Sequence, residues 1–110
     1  MYNELKQQIT SDKVDFRAFH VLYNHKLIMQ LLLKNLTQLG YHFYEINELC
    51  IKQINESLQL RNMLLKQTMK NHIKIDENLY VLERIKNNDK VIFSEVLHEI
   101  ETNPKQVIKT

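Results

Sequence analysis

A chain of 110 residues with 44% hydrophobic residues fits one domain that can bury a single core without cross-links. Its 15 Lys and Arg against 13 Asp and Glu leave a net charge of +2, too near balance to point to nucleic acid or an anionic membrane. A single cysteine excludes an internal disulfide, and one Gly with one Pro leave little material for hairpins or phosphate-cradling loops, so the chain reads as all-α.

Tyr2, Leu5 and Ile9 stand at helical spacing, enough for about two turns that need a neighbour to persist. Thr10, Ser11 and Asp12 are N-cap candidates for a second helix expected from about Asp12 to Leu39, with Asp12 and Asp15 favourably placed near its positive end. In it Ala18, Leu22, His25, Met29, Leu32, Leu36 and Leu39 alternate steps of four and three, the rhythm of a packed seam. Val14, Val21 and Ile28 widen the stripe on one flank, Phe19 and Leu33 on the other. Between Leu27 and Leu33 only Gln30 is polar, so this part has to be surrounded. Gly40 occupies the place of a left-handed C′ residue, with Tyr41 free to fold back on the last turn.

A third helix is expected from about Phe43 to about Asn71, and the short Gly-Tyr-His connection makes the pair an antiparallel hairpin. Residue numbers summing to roughly 82 then face each other, which sets Leu22 near Leu60, Ala18 near Leu64 and His25 near Ser57 in a polar layer. The run NHIKID interrupts the pattern, and Asp76 can cap a fourth helix carrying Leu79, Leu82 and Ile85. The polar run KNNDK at 86–90 predicts a break before a fifth helix with Phe93, Val96, Leu97 and Ile100. Asn103 and Pro104 read as a further cap or a stop. The expected fold is a single helical domain: an antiparallel hairpin over about 12–72, then two short helices over about 76–103, in a helical bundle.

Each constellation that could carry chemistry has a structural alternative. His25, in the seam, is either a group that titrates near neutral pH or a histidine satisfied by Ser57, Glu56 or a carbonyl, and the second role is expected. A hairpin bearing His20 and His25 resembles in outline the dimerising hairpins of phosphotransfer histidines. There the acceptor faces solvent beside an acidic neighbour, whereas Val21 follows His20 and Lys26 follows His25. Glu95-Val96-Leu97-His98 is half of a di-iron motif that needs a second copy, and its apolar arc turns Glu95 and His98 outward. Cys50 has no histidine at structural-zinc spacing.

Lys66, Lys70 and Lys74 stand at i, i+4 and i+8 with Arg61 and His72 nearby, an edge that could contact phosphates or simply be solvated. Arg61 falls inside the apolar arc of its helix, so it either pairs with a carboxylate such as Asp15 or faces a partner. The stretch LGYHFYEI resembles the turn in the helical part of MerR-type regulators, whose wing and preceding DNA-reading helices have no counterpart in this sequence.

No catalytic signature, metal constellation or nucleotide loop is present, so a non-enzymatic protein without cofactor is expected. The surplus of apolar side chains carries the functional expectation. Leu27, Leu31, Leu60 and Met63 lie off the seam, and Tyr41, Phe43 and Tyr44 cluster at the turn. Together they form the expected protein-binding or dimer face. The expectation is a homodimeric protein-binding module of adaptor, inhibitor or immunity type. The alternative is a dimeric nucleic-acid-associated regulator using Arg61, Lys66, Lys70 and Lys74. The opening MYNELK lacks a secretory pattern and the longest apolar run is far short of the roughly 20 residues of a membrane span, so a cytoplasmic location without membrane contact is expected. Eleven Asn and a preference for Lys over Arg suggest AT-rich coding DNA, as in a phage or mobile element.

Overall fold

The 3.6-residue apolar rhythm is realised as helix almost from end to end. The computed structural model describes residues 1–11 and 14–102, and within them the elements are α1 (Tyr2–Thr10), α2 (Phe16–Gln38), α3 (Tyr44–Met69) and α4 (Ile75–Thr102), with no strand. α3 is the central member, with α2 packed on one flank and α4 on the other, while α1 lies against α4. The bundle is a rod of 56 × 22 × 18 Å.

Two turns of the same design reverse the chain. After α2, Gly40 takes φ 100°, its N–H donates to Thr37 O at 3.0 Å, and Tyr41 N–H donates to Leu36 O at 3.2 Å. After α3, Asn71 takes φ 54°, its N–H donates to Thr68 O at 3.0 Å, and His72 N–H donates to Gln67 O at 2.9 Å. Both are Schellman caps, which satisfy the last carbonyls of a helix by a residue in the left-handed region. Gly and Asn are the residue types that tolerate that region. A reciprocal amide pair then clamps the second turn: Asn78 donates to Gln67 at 2.7 Å and Gln67 to Asn78 at 3.2 Å, both buried.

The start of α2 differs from expectation. The Thr10 hydroxyl donates to Lys6 O and Gln7 O, and that of Ser11 to Gln8 O, so both serve the end of α1. Asp15 is the cap instead, accepting from Arg17 N–H at 3.0 Å. Asp12 and the Asn103-Pro104 signal lie outside the described residues.

The predicted fourth and fifth helices are one. α4 runs 28 residues through KNNDK without a break, about 42 Å at helical rise. Asn and Asp are only mildly unfavourable in a helix interior, and here Asp89 is drawn inward by partners on three other helices.

The core has two apolar parts. Leu5, Ile9, Phe19, Leu22, Leu60, Leu64, Leu82 and Ile85 form the first, where α1 closes the bundle as a fourth member. Met29, Leu33, Tyr41, Phe43, Cys50 and Ile92 form the second, without α1. The expected pairing of Leu22 with Leu60 falls in the first part, but the buried stripe of α2 is Phe19, Leu22, Lys26, Met29 and Leu33. The helix is therefore turned from the predicted seam toward its Phe19 and Leu33 flank. Val21, Ile28, Leu32 and Leu39 are left exposed, Ile28 at 65%.

Candidate functional site

A polar layer separates the two apolar parts. Lys26 on α2 is 1% exposed, and its three ammonium donors meet the Asp89 carboxylate on α4, the Tyr2 hydroxyl on α1 at 2.7 Å, and Nδ1 of His25 at 3.4 Å. The Tyr2 hydroxyl in turn donates to the same Asp89 oxygen. Gln53 on α3 donates to the other carboxylate oxygen at 2.8 Å and to Ile85 O at 2.8 Å. Since both neighbours only accept, they force the amide nitrogen to that side, and Gln53 Oε1 is left buried with no partner in the protein. All four helices contribute to this one layer.

The layer shifts the groups around it. Loss of solvent lowers the Lys26 ammonium below its ordinary value, a stronger effect here than the opposing hydrogen bond to Asp89. Burial, and then the Lys26 charge, lower His25, with Asp89 opposing. Burial raises Tyr2, reinforced by Asp89, and pushes the Cys50 thiol up to about 11. A perturbed lysine can mark a catalytic centre, but an amine this enclosed cannot meet a substrate, and its partners are spent on one another. The arrangement holds helices together.

This layer replaces the predicted pair of His25 and Ser57. Ser57 is buried, yet its hydroxyl donates back to Gln53 O and Ile54 O of its own helix. The charged members that the structure buries each lie on an apolar stripe, a signal that becomes readable once the inward flank of each helix is known. Lys26 shares a stripe with Phe19, Leu22, Met29 and Leu33, and Asp89 shares one with Leu82, Ile85 and Ile92. Opposite charges at inward positions of two helices must meet or stay hydrated.

The second feature is an open apolar boundary between α2 and α3. Leu27 and Leu31 are exposed on α2, and with Gln30, Lys34 and Asn47 they edge a cleft of about 630 Å³. On α3, Ile51 and Leu65 are exposed and Leu58 half-buried, at seven-residue intervals along one column. Toward the other end, Phe16, His20 and Val21 of α2 face Arg61 and Leu65 across a cleft of about 460 Å³.

The predicted face is thus only partly a surface. Leu27, Leu31 and Tyr44 are exposed, Tyr44 at 77% with its ring stacked on His42. Leu60 is fully buried, because it sits opposite Leu22. Tyr41 and Phe43 are also buried, their rings 6.1 Å apart, because the left-handed turn at Gly40 folds them onto the second core. Met63 is half-buried on the α4 flank, beside Asp76 and Tyr80.

Lys66, Lys70 and Lys74 do converge with His72 around a cleft of about 210 Å³ at the α3–α4 turn, and Lys74 stands 3.9 Å from Glu77. Arg61 is not with them. It lies on the α2 flank, bonded to His20 and over the ring of Tyr23. Among the described residues no group of three or more His, Cys, Asp or Glu could hold a metal ion, and no helix is long and apolar enough to cross a membrane. No protein-family model matches the chain, and neither a curated protein nor a solved structure matches it.

Proposed function

We propose that the chain is a non-catalytic helical protein-binding module, an adaptor or inhibitor, whose contact surface is the α2–α3 boundary. One observation carries this reading: Leu27 and Leu31, exposed on one helix, line a cleft shared with Asn47 of its antiparallel neighbour, on which Ile51, one turn further on, is exposed as well. Clustered exposed aliphatic residues on a small protein mark interaction surfaces, and a groove between two helices accepts the apolar stripe of a third. A second copy of the hairpin is the simplest occupant, because two hairpins packed through these residues make a four-helix core with two-fold symmetry.

Light scattering on a sizing column over a range of concentrations tests the reading. The expected result is a dimer for the native chain and a monomer of unchanged helical content for Leu27→Glu or Ile51→Lys. A native chain that stays monomeric at the highest concentration would discard self-association. The binding-module reading would then stand or fall on whether Leu27→Glu changes any protein contact of the native chain.

The convergence of Lys66, Lys70, His72 and Lys74 on one cleft favours a second reading, a regulator that contacts nucleic-acid phosphates through this edge. Titration with duplex DNA at low salt, where phosphate-driven binding is strongest, would show binding that Lys66→Ala with Lys70→Ala weakens. Absence of binding there removes the reading.

A further inference from the structure

Arg61 is a cation without a carboxylate. Its Nη1 donates to Nδ1 of His20 at 2.8 Å, its Nη2 to Oδ1 of Asn62 at 3.3 Å, and its carbon lies 5.7 Å from the centre of the Tyr23 ring. None of these partners is negative. Asp15, the carboxylate that the sequence offered, is taken by Arg17 through two bonds of 3.1 Å. Among the described residues no acidic side chain pairs with Arg61, although the residue is half-buried. A guanidinium has five N–H donors in a planar fork, so donors remain at the edge of the cleft.

The polar lining of the cleft is Arg61 with the His20 and Asn62 side chains bonded to it, and Arg17, whose charge is met by Asp15; the rest is hydrocarbon. Phe16, Val21 and Leu65 wall it, Val21 and Leu65 being exposed for lack of a cover, and about 460 Å³ lies between them. A partly desolvated guanidinium beside such walls favours an anion more than a hydrated one does, because the low dielectric strengthens the attraction. A bare inorganic anion would leave the walls uncovered. A neutral hydrocarbon would leave the charge unpaired. A carboxylate on an apolar body satisfies both, since its two oxygens match the fork of the guanidinium.

We propose that the cleft between the first turns of α2 and the last turns of α3 binds a small amphipathic carboxylate, with its head on Arg61 and its hydrocarbon against Phe16, Val21 and Leu65. The site is complete within one chain and does not depend on the protein-binding reading. The probe is octanoate, followed by heteronuclear NMR in the native chain and in Leu27→Glu, so that a dimer covering the cleft is distinguished from a cleft that binds nothing.

Saturable shifts at Phe16, His20, Val21 and Leu65 are expected, with a dissociation constant on the order of 1 mM for a ligand of this size. Octanol and acetate are each expected to bind at least about tenfold more weakly, as is octanoate to Arg61→Gln, from the loss of one charge-assisted contact. Leu65→Ala, a change at an exposed position, is expected to weaken octanoate without altering the helical spectrum. Equal binding of octanol and octanoate, unchanged affinity in Arg61→Gln, shifts confined to Leu27 and Leu31, or no shifts in Leu27→Glu would each overturn the proposal.

Discussion

The ammonium of Lys26 on α2 is held by the carboxylate of Asp89 on α4, 63 residues away in the chain, with side chains only 1% and 7% exposed. Removing one member leaves the other charged and enclosed. Asp89→Ala or Lys26→Met is therefore expected to cost about 3–5 kcal/mol in urea denaturation. The double variant Lys26→Met, Asp89→Leu should recover most of that loss, because an apolar pair of similar volume avoids desolvating two charges. A double variant as unstable as the singles would show that the layer contributes through something other than the ion pair.

Tyr2 is where α1 joins this layer, donating to Asp89 and accepting from Lys26. Tyr2→Phe keeps the ring and removes both bonds, an expected loss of about 1–3 kcal/mol for buried partners left unsatisfied. Since α1 packs mainly on α4 and touches only the first core, hydrogen exchange should accelerate first in α1 and leave the second core protected. Uniform acceleration across the chain would mean that α1 does not open as a separate unit.

His25 gives the layer a pH dependence of known sign. Burial and the Lys26 charge hold its folded value below the ordinary one, about 6.5 in the unfolded chain. Between the two values the unfolded chain binds more protons, so stability is full above about 6.5 and falls as pH drops through the window below it. The urea midpoint should therefore fall between pH 7 and pH 5 more in the native chain than in His25→Gln. Equal falls in the two chains would contradict this assignment.

Cys50 is buried in the second core with its thiol pushed up to about 11. The thiolate is the reactive species, so iodoacetamide at pH 8 should label the folded chain far more slowly than the chain in urea. Rapid labelling of the folded form would mean that the second core, which lacks α1, opens readily.

Local rules made much of the fold legible in the sequence. The four-and-three rhythm marked the helices, Gly40 marked the end of α2, and the short connection set the hairpin register that brings Leu22 and Leu60 into one cluster. Leu27 and Leu31 were recognisable as surplus to that packing, and Arg61 as a charge needing an explanation. These features depend on neighbours within a few residues or on one tight turn.

Which flank of α2 faces inward was decided only by the tertiary structure. Val21 and Ile28 on one side, and Phe19 and Leu33 on the other, are equally apolar, so periodicity could not choose between them. The choice follows Lys26, which can be buried only because Asp89 and Tyr2 arrive from two other helices to meet its ammonium, with Gln53 from the third holding the Asp89 carboxylate in place. The same contacts keep α4 continuous through KNNDK and, by turning α2, leave Val21, Ile28 and Leu32 exposed. A buried charge is tolerated only where distant parts of the chain converge on it, which no local pattern around Lys26 contains.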